Sequence, residues 1–572
     1  MHLNLKAKDQ HTYDAIVVGS GISGGWAAKE LCEKGLKVLL LERGRDVEHV
    51  KDYPTATTAP WEFKHRGRVT PEELAKYPVQ NRTGFTITEE TKHFFVDDLE
   101  NPYLETKRFD WIRGYHLGGR SLMWGRQSYR YGDLDFEANA KEGIGADWPI
   151  RYKDLAPWYD HVERFAGITG ERDGLDQLPD GVMQPPMPLN CIEEHVMTTL
   201  NAHYPQKRVI KGRAAHLTQP TPEQTELGRA SCQYRDMCMR GCPYGAYFSS
   251  QAATLPAARR TGNLTVRPHS IVSSVIYDET RDKATGVRVI DERTGAWTEF
   301  YAKIIFLNAS TLGSTFILMN STSRRYPHGL DESGQLGHNL MDHHFHAGAD
   351  GLSDAFADKH YFGRKPNGLY VPRFRNLGND KRDYLRGFIY EIYTNRQGWG
   401  TAAGTAGVGA DFKEAAIRPG KWWVQFMAFG ECLPYYENHV TLGREKTDKW
   451  GQPVLKIDAQ FRDNERKMRV DMKNDAAEML EAAGFKDITP FDQPTHPGLG
   501  IHEMGTARMG RDPRTSVLNG WNQVHAAKNV YVTDGACMTS TASQNPSLTY
   551  MALTARAAHH AVGELRKGNV RG

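Results

Sequence analysis

After a polar start, the chain runs through the apolar positions Tyr13-Asp14-Ala15-Ile16-Val17-Val18, the continuous hydrophobicity of a strand buried on both faces. It turns through Gly19-Ser20-Gly21-Ile22-Ser23-Gly24-Gly25 into an amphipathic stretch from Trp26 to Lys34, which Gly35 stops. A second apolar run, Lys37-Val38-Leu39-Leu40-Leu41, ends at Glu42 and completes a βαβ unit. Residues 46–110 are polar and broken by Pro54, Pro60, Pro71, Pro78 and Pro102, which predicts a long excursion over the surface. Strand patterns return between 263 and 321, ending in Ile304-Ile305-Phe306-Leu307 and a helix. A further β-rich region covers about 345–495, with a strand at 422–429 and a long helical pattern near 463–483. The expected organisation is an α/β nucleotide-binding part from 1–150, 225–345 and 496–572, interleaved with a substrate part from 151–224 and 346–495.

With 572 residues, 39% hydrophobic and 25% charged, the chain buries a sizeable core, which excludes disorder and fibre. Lys+Arg 72 against Asp+Glu 69 and no basic stripe give a nucleic-acid surface no support. A mean hydropathy of −0.60 and no apolar run near the roughly 18–20 residues that cross a bilayer exclude a direct membrane span. The N-terminal segment has neither an apolar core nor a twin-arginine pair, so no export signal of its own is expected. Seven cysteines are too few and odd in number for a disulfide framework, and three of them fall between 232 and 242.

Gly19-x-Gly21-x-x-Gly24 between strand and helix is a dinucleotide fingerprint: the first glycine turns, the second admits the pyrophosphate, and the third lets helix pack on strand. Glu42, at the end of the second strand, is placed to accept the ribose hydroxyls. At the other end of the chain, Asn529-Val530-Tyr531-Val532-Thr533-Asp534-Gly535-Ala536 and Ser543-Gln544-Asn545-Pro546-Ser547-Leu548-Thr549 precede a helix from Tyr550. That segment resembles the C-terminal FAD motif of the glucose-methanol-choline (GMC) oxidoreductases. Gly118-Gly119-Arg120-Ser121-Leu122-Met123-Trp124-Gly125 resembles the family's flavin-contact loop, and Leu307 to Ser314 and Leu336 to His343 resemble further family segments.

The resemblance spans nearly the whole chain. Arg120 and Trp124 stand where Thr and Asn are commoner, and Asn308-Ala309-Ser310 replaces Ala-Gly-Ala or Ala-Gly-Thr. It implies a GMC-type Rossmann-like FAD-binding domain interleaved with an α+β substrate domain on an antiparallel sheet. It also implies non-covalent FAD, since the Gly118–Gly125 loop holds no His, with Gly119, Ser121, Asp534, Gly535, Asn545 and Thr549 among its contacts.

Alcohol oxidation needs a base with a pKa near ambient within reach of the hydroxyl, which histidine suits. Gly500-Ile501-His502-Glu503-Met504-Gly505-Thr506 resembles the family's His segment, which makes His502 the expected base. Asn545 lies where relatives carry the second active-site residue; its amide suits the same oxygen, although a helix cap before Pro546 is the blander role.

Cys232, Cys238 and Cys242 form C-x5-C-x3-C followed by Pro243, a poor match to a zinc ribbon. Three buried thiols, or zinc with a nearby His, are the alternatives to an iron–sulfur cluster. The same spacing is seen in flavin subunits of bacterial iron–sulfur glucose dehydrogenases and glycoside 3-dehydrogenases, which implies a 3Fe-4S cluster. Cys32, Cys191, Cys432 and Cys537 read as ordinary thiols. The resemblance further implies a dehydrogenase acting on a sugar, C3 of glucosides or disaccharides, with glucose C1, gluconate or sorbitol oxidation, or a non-catalytic flavin subunit, as alternatives. It implies a small subunit bearing a twin-arginine signal, a cytochrome c or other one-electron acceptor, and a periplasmic location by co-export, the alternative being cytoplasmic. Trp422, Trp423, Phe426, Tyr435 and Tyr436 offer flat surfaces for a pyranose, and His346, Gln425 and Glu431 are candidates to bond its hydroxyls.

Overall fold

A computed structural model describes residues 12–398, 408–417 and 419–569. The apolar runs at the two ends of the chain and in its middle meet in one sheet. Its parallel strands lie in the order Ala527–Val532, Trp297–Leu307, β1 (Thr12–Val18), β2 (Val38–Leu41) and Leu264–Arg267. Both faces are covered, which is why these strands read as continuous hydrophobic stretches. Ala15, Val17, Val38 and Leu40 pack with Ala27 and Leu31 of α1 (Ile22–Glu33) and with Ala557, Ala558 and Ala561 of the helix Ser547–Lys567. Ile16, Val18, Leu39 and Leu41 share the opposite core with Val272, Val275, Val287 and Val289 of the hairpin Ser270–Asp278/Lys283–Asp291.

A second sheet of six antiparallel strands has the order Lys486–Asp492, His344–Ser353, Trp422–Gly430, Phe388–Arg396, Leu369–Val371 and Ile210–Lys211. Trp422, Val424, Phe426 and Ala428 alternate inward against Met468, Met472, Ala476 and Met479 of the helix Asp463–Ala482. The intervening positions face the other way, a period-2 pattern that leaves one face of the sheet for a ligand. Phe426 is therefore core and not the sugar platform expected of it, while Trp422, buried on the same face, also borders a second, smaller cavity.

Two further placements differ from the sequence reading. The helix Tyr152–Ala166, expected with the substrate half, packs on the nucleotide side: its Leu155, Tyr159, Val162 and Phe165 share a core with Trp26 and Leu548. Residues 46–110 run largely over the surface, as expected, but with a buried side that the sequence did not announce. Val47, Tyr53, Ala56 and Phe94 are buried with Leu122 and Met123, and Phe85, Thr86 and Thr91 form a wall of the main cavity. Isolated apolar residues among short turns carry no periodicity, so the burial left no pattern to read. Among the described residues no helix is long and apolar enough to cross a membrane.

The turn from β1 into α1 has no room for a side chain at Gly19 or Gly24. A Cβ on Gly24 would lie 1.8 Å from the Gly19 carbonyl oxygen, and one on Gly19, whose φ is +89°, would lie 2.3 Å from that of Asn308. Gly24→Ala must push helix from strand, so it is expected to lower stability by about 1–3 kcal/mol or more and to release the bound nucleotide. Thermal melting together with the flavin absorbance of the purified protein checks both.

Candidate active site

A cavity of about 700 Å³ opens where the two sheets face each other, within the roughly 300–1,000 Å³ of ligand pockets. Gly19, Gly21, Glu42, Gly119, Ser121, Asp534, Gly535, Asn545 and His502 all line it. Gly21 and Gly119 face each other closely enough that a Cβ on Gly119 would come 3.7 Å from the Gly21 Cα, so bare backbone borders the cavity beside the N-terminus of α1. That is the surface a pyrophosphate requires. The Glu42 carboxylate accepts from Ser20 N (3.1 Å), from Ser20 Oγ, and from Gly44 N (2.9 Å), while burial pushes its pKa up. Asp534 accepts from Ser314 Oγ and from Ala536 N (3.0 Å), and burial raises it to about 6. Thr549 does not reach the cavity; its Oγ1 pairs with Tyr159 Oη at 2.7 Å, and its neighbours Ser547 and Tyr550 line the wall instead.

His502 is held by a buried carboxylate. Asp342 Oδ1 accepts from His502 N (3.0 Å) and His343 N (2.8 Å), and its Oδ2 accepts from Gly498 N (2.7 Å) and Gly500 N (2.9 Å). Burial and the nearby Glu503 push Asp342 up to about 7 in opposition to those donors. Glu503 itself makes a two-pronged pair with Arg120, at 3.0 and 2.7 Å, on the same wall.

The ring contacts then determine where the protons sit. His343 Nε2 bonds the Ala542 carbonyl, which only accepts, so His343 carries its proton on Nε2. Burial lowers the His343 pKa to about 4, so the ring is neutral and its Nδ1 is an acceptor. His502 Nδ1 lies 2.8 Å from that atom and must donate to it. The lone pair of His502 consequently sits on Nε2. Burial, then His343 and Arg120, hold His502 well below the usual histidine pKa, so it rests neutral.

Asn545 precedes the helix Ser547–Lys567 without capping it by its side chain. Its Nδ2 donates to Glu391 Oε1 at 3.2 Å, and its Oδ1 is buried without a partner beside the cavity. Glu391 also accepts from Tyr393 Oη, and burial raises its pKa. Neither Glu391 nor His343 was among the sequence candidates. The signal for the first was a lone carboxylate within Phe388-Ile389-Tyr390-Glu391-Ile392-Tyr393, and for the second an Asp-His-His run in a segment already singled out.

Three candidates for substrate hydroxyls lie elsewhere. Glu431 is buried against Arg373 (3.2 Å) and Arg386 (3.6 Å); Gln425 Nε2 donates to Asp350 (2.9 Å); and His346, at φ +61° in an irregular part of its strand, does not line the cavity. Tyr435 bonds Glu465 and Tyr436 stacks on His338. The aromatic wall is instead Phe345 and Phe429, stacked with centroids 5.0 Å apart, with Tyr393 and Trp124.

GMC oxidoreductase family models match residues 13–345 and 434–554. The chain belongs to the GMC oxidoreductase family. It is 29% identical to the 2-methyl-1,2-propanediol dehydrogenase of Mycolicibacterium austroafricanum, across 95% of this chain and 94% of that one. It is 26% identical to the fructose dehydrogenase large subunit of Gluconobacter japonicus, across 97% and 98%, and 24% identical to the gluconate 2-dehydrogenase flavoprotein of Pantoea cypripedii, across 96% and 93%. Its fold matches the formate oxidase of Aspergillus oryzae RIB40 with a TM-score of 0.61 at 14% identity, covering 97% of this chain and 99% of that one. This GMC oxidoreductase is thus an FAD enzyme acting on CH–OH donors, and the glycine cradle and acid-lined cavity fit that cofactor.

The three clustered cysteines share one loop beside the cavity, which Met239 lines. Burial pushes Cys232 up to about 11, with Cys238 and Cys242 adding to it, and burial with Cys242 beside it raises Cys238, while Arg126 acts the opposite way on both. Cys238 Sγ lies 3.6 Å from His216 Nε2. Among the described residues no three His, Cys, Asp or Glu side chains are gathered to hold a metal ion, Cys232, Cys238 and Cys242 included.

Glu431 neutralises two buried guanidinium groups outside the cavity. Glu431→Ala is therefore expected to cost about 3–5 kcal/mol of stability in chemical denaturation, while leaving the substrate dependence of flavin reduction in the folded protein unchanged.

Proposed function

We propose that this GMC oxidoreductase is a dehydrogenase oxidising a secondary hydroxyl of a sugar, C3 of a glucoside or disaccharide, to the 3-keto sugar. The observation that carries the chemistry is the neutral His502 with its Nε2 lone pair free at a cavity that Asn545 and Glu391 also border. Support for a sugar comes from these convergent polar groups and from relatives named for fructose and gluconate.

In this reading Gly19, Gly21, Gly24, Glu42, Gly119, Ser121, Asp534 and Gly535 hold the FAD. FAD supplies the acceptor for the hydrogen and electron pair leaving carbon. His502 Nε2 takes the hydroxyl proton, and the resulting imidazolium keeps its Nδ1–H on His343, so no ring needs to turn. Asn545 steers the hydroxyl oxygen with the amide proton that Glu391 leaves free, a fixed dipole placed where charge develops. Residues 1–150, 225–345 and 496–572 would form the FAD-binding domain, with the helix Tyr152–Ala166 joined to it, and the remainder the substrate domain.

Cys232, Cys238 and Cys242 would hold a 3Fe-4S cluster, which supplies a one-electron stop between cofactor and acceptor. The acceptor would be a cytochrome c or similar carrier, and a small subunit with a twin-arginine signal would carry the enzyme to the periplasm. A relative named as a large subunit supports such an assembly.

Anaerobic mixing with glucosides, glucose and gluconate, followed by NMR of the product, tests the reading: flavin bleaching with a C3 carbonyl is expected, and a carbonyl at C1 only, or no bleaching, overturns it. His502→Ala should keep FAD and slow flavin reduction by about 10²–10⁴-fold. Because His502 is held below its ordinary pKa of 6.5, the wild-type rate should be flat above that pH and fall only as acid protonates the ring. Cys238→Ser should leave bleaching by substrate intact and lose iron and acceptor-linked turnover together; full iron content in that variant would remove the cysteines from the relay.

A further inference from the structure

A second cavity of about 320 Å³ adjoins the first, and Tyr393 lines both. We propose that this cavity is a subsite for the second sugar unit of a glycoside whose other ring reacts in the flavin cavity, an inference that rests on the sugar reading above.

Its position follows from the strand Phe388–Arg396. Phe388, Tyr390 and Ile392 turn into the core, so Glu391 and Tyr393 stand on the opposite face. Tyr393 donates its hydroxyl proton to Glu391, which holds Asn545, so the wall between the two cavities is tied to the residue that steers the reacting oxygen. A substrate passing Tyr393 would occupy both spaces at once.

The lining chemistry indicates a neutral polyhydroxyl ring. Trp423 sits on the outward-facing side of its strand, and Tyr361 lies against Trp422, with ring centroids 6.1 Å apart; both flat surfaces border the cavity and suit the C–H face of a pyranose. Glu193 receives Asn190 N at 2.7 Å on one oxygen and Thr394 Oγ1 at 3.3 Å on the other, which leaves it lone pairs for hydroxyl donors. Asn367 lies on the same wall. Lys365 lies 3.4 Å from Asp236 and Lys211 lies 2.6 Å from Glu171, while Arg364 and Arg396, which also line the cavity, spend guanidinium N–H groups on backbone carbonyls, Arg364 on that of Pro188 and Arg396 on those of Phe356, Ala357 and Gly420. Hydroxyls thus find a carboxylate acceptor in Glu193 and planar guanidinium donors in Arg364 and Arg396, and a ring finds aromatic faces.

Trp423→Ala and Tyr361→Ala remove the flat surfaces without touching the flavin cavity's machinery; FAD content and melting temperature serve as folding controls. Stopped-flow reduction of the flavin is followed with sucrose and with methyl glucoside. The expected result is a roughly ten-fold rise in the KM for sucrose, about 1.4 kcal/mol, with kcat and the methyl glucoside KM unchanged. An equal rise for both sugars, or no rise for sucrose, overturns the subsite. Failure of the wild-type protein to be reduced by either sugar overturns the sugar reading instead, and that outcome is visible before any variant is made.

Discussion

The site depends on one buried carboxylate. Asp342 gathers four backbone N–H groups from two segments far apart in sequence, His343 on its own strand side and Gly498, Gly500 and His502 on the other. Each of those bonds is removed from water, where a hydrogen bond is electrostatically stronger and costly to lose. Two imidazoles are thereby brought to 2.8 Å of one another, close enough that the proton on one decides the proton on the other. Everything proposed about the base descends from that junction.

The two halves of the molecule meet the cavity with different equipment. The parallel sheet contributes backbone: glycines packed against carbonyls, a helix N-terminus, and carboxylates satisfied by N–H and hydroxyl groups. The antiparallel sheet contributes side chains from one face only, since its other face is committed to the helix Asp463–Ala482. Glu391 and Tyr393 belong to that free face, and Glu391 reaches Asn545 on the chain's C-terminal segment. In the proposed reading, that contact across the cavity would join recognition to chemistry.

Much of this was legible in the chain. The βαβ unit, the glycine fingerprint, Glu42 and the Asp534-Gly535 turn announce themselves because each makes a backbone demand that few residue types satisfy. His502 and Asn545 were legible through their flanking motifs. Less legible was anything set by tertiary pairing. Glu431 looked like a ligand for hydroxyls but serves two arginines that sequence does not bring near it. Phe426 looked like part of a platform, but strand parity turns it into the core. His343 and Glu391 went unread because their importance lies in what they touch, 159 and 154 residues away.

The central claim is that His502 rests neutral with its proton on Nδ1 and its lone pair on Nε2. Nitrogen-15 NMR of protein labelled at histidine reports the protonation of each ring nitrogen, and the His502→Ala variant supplies the assignment. At neutral pH the account predicts a protonated Nδ1 and a bare Nε2 for His502, with the opposite tautomer for His343. A His502 ring protonated on Nε2, alone or together with Nδ1, would contradict it.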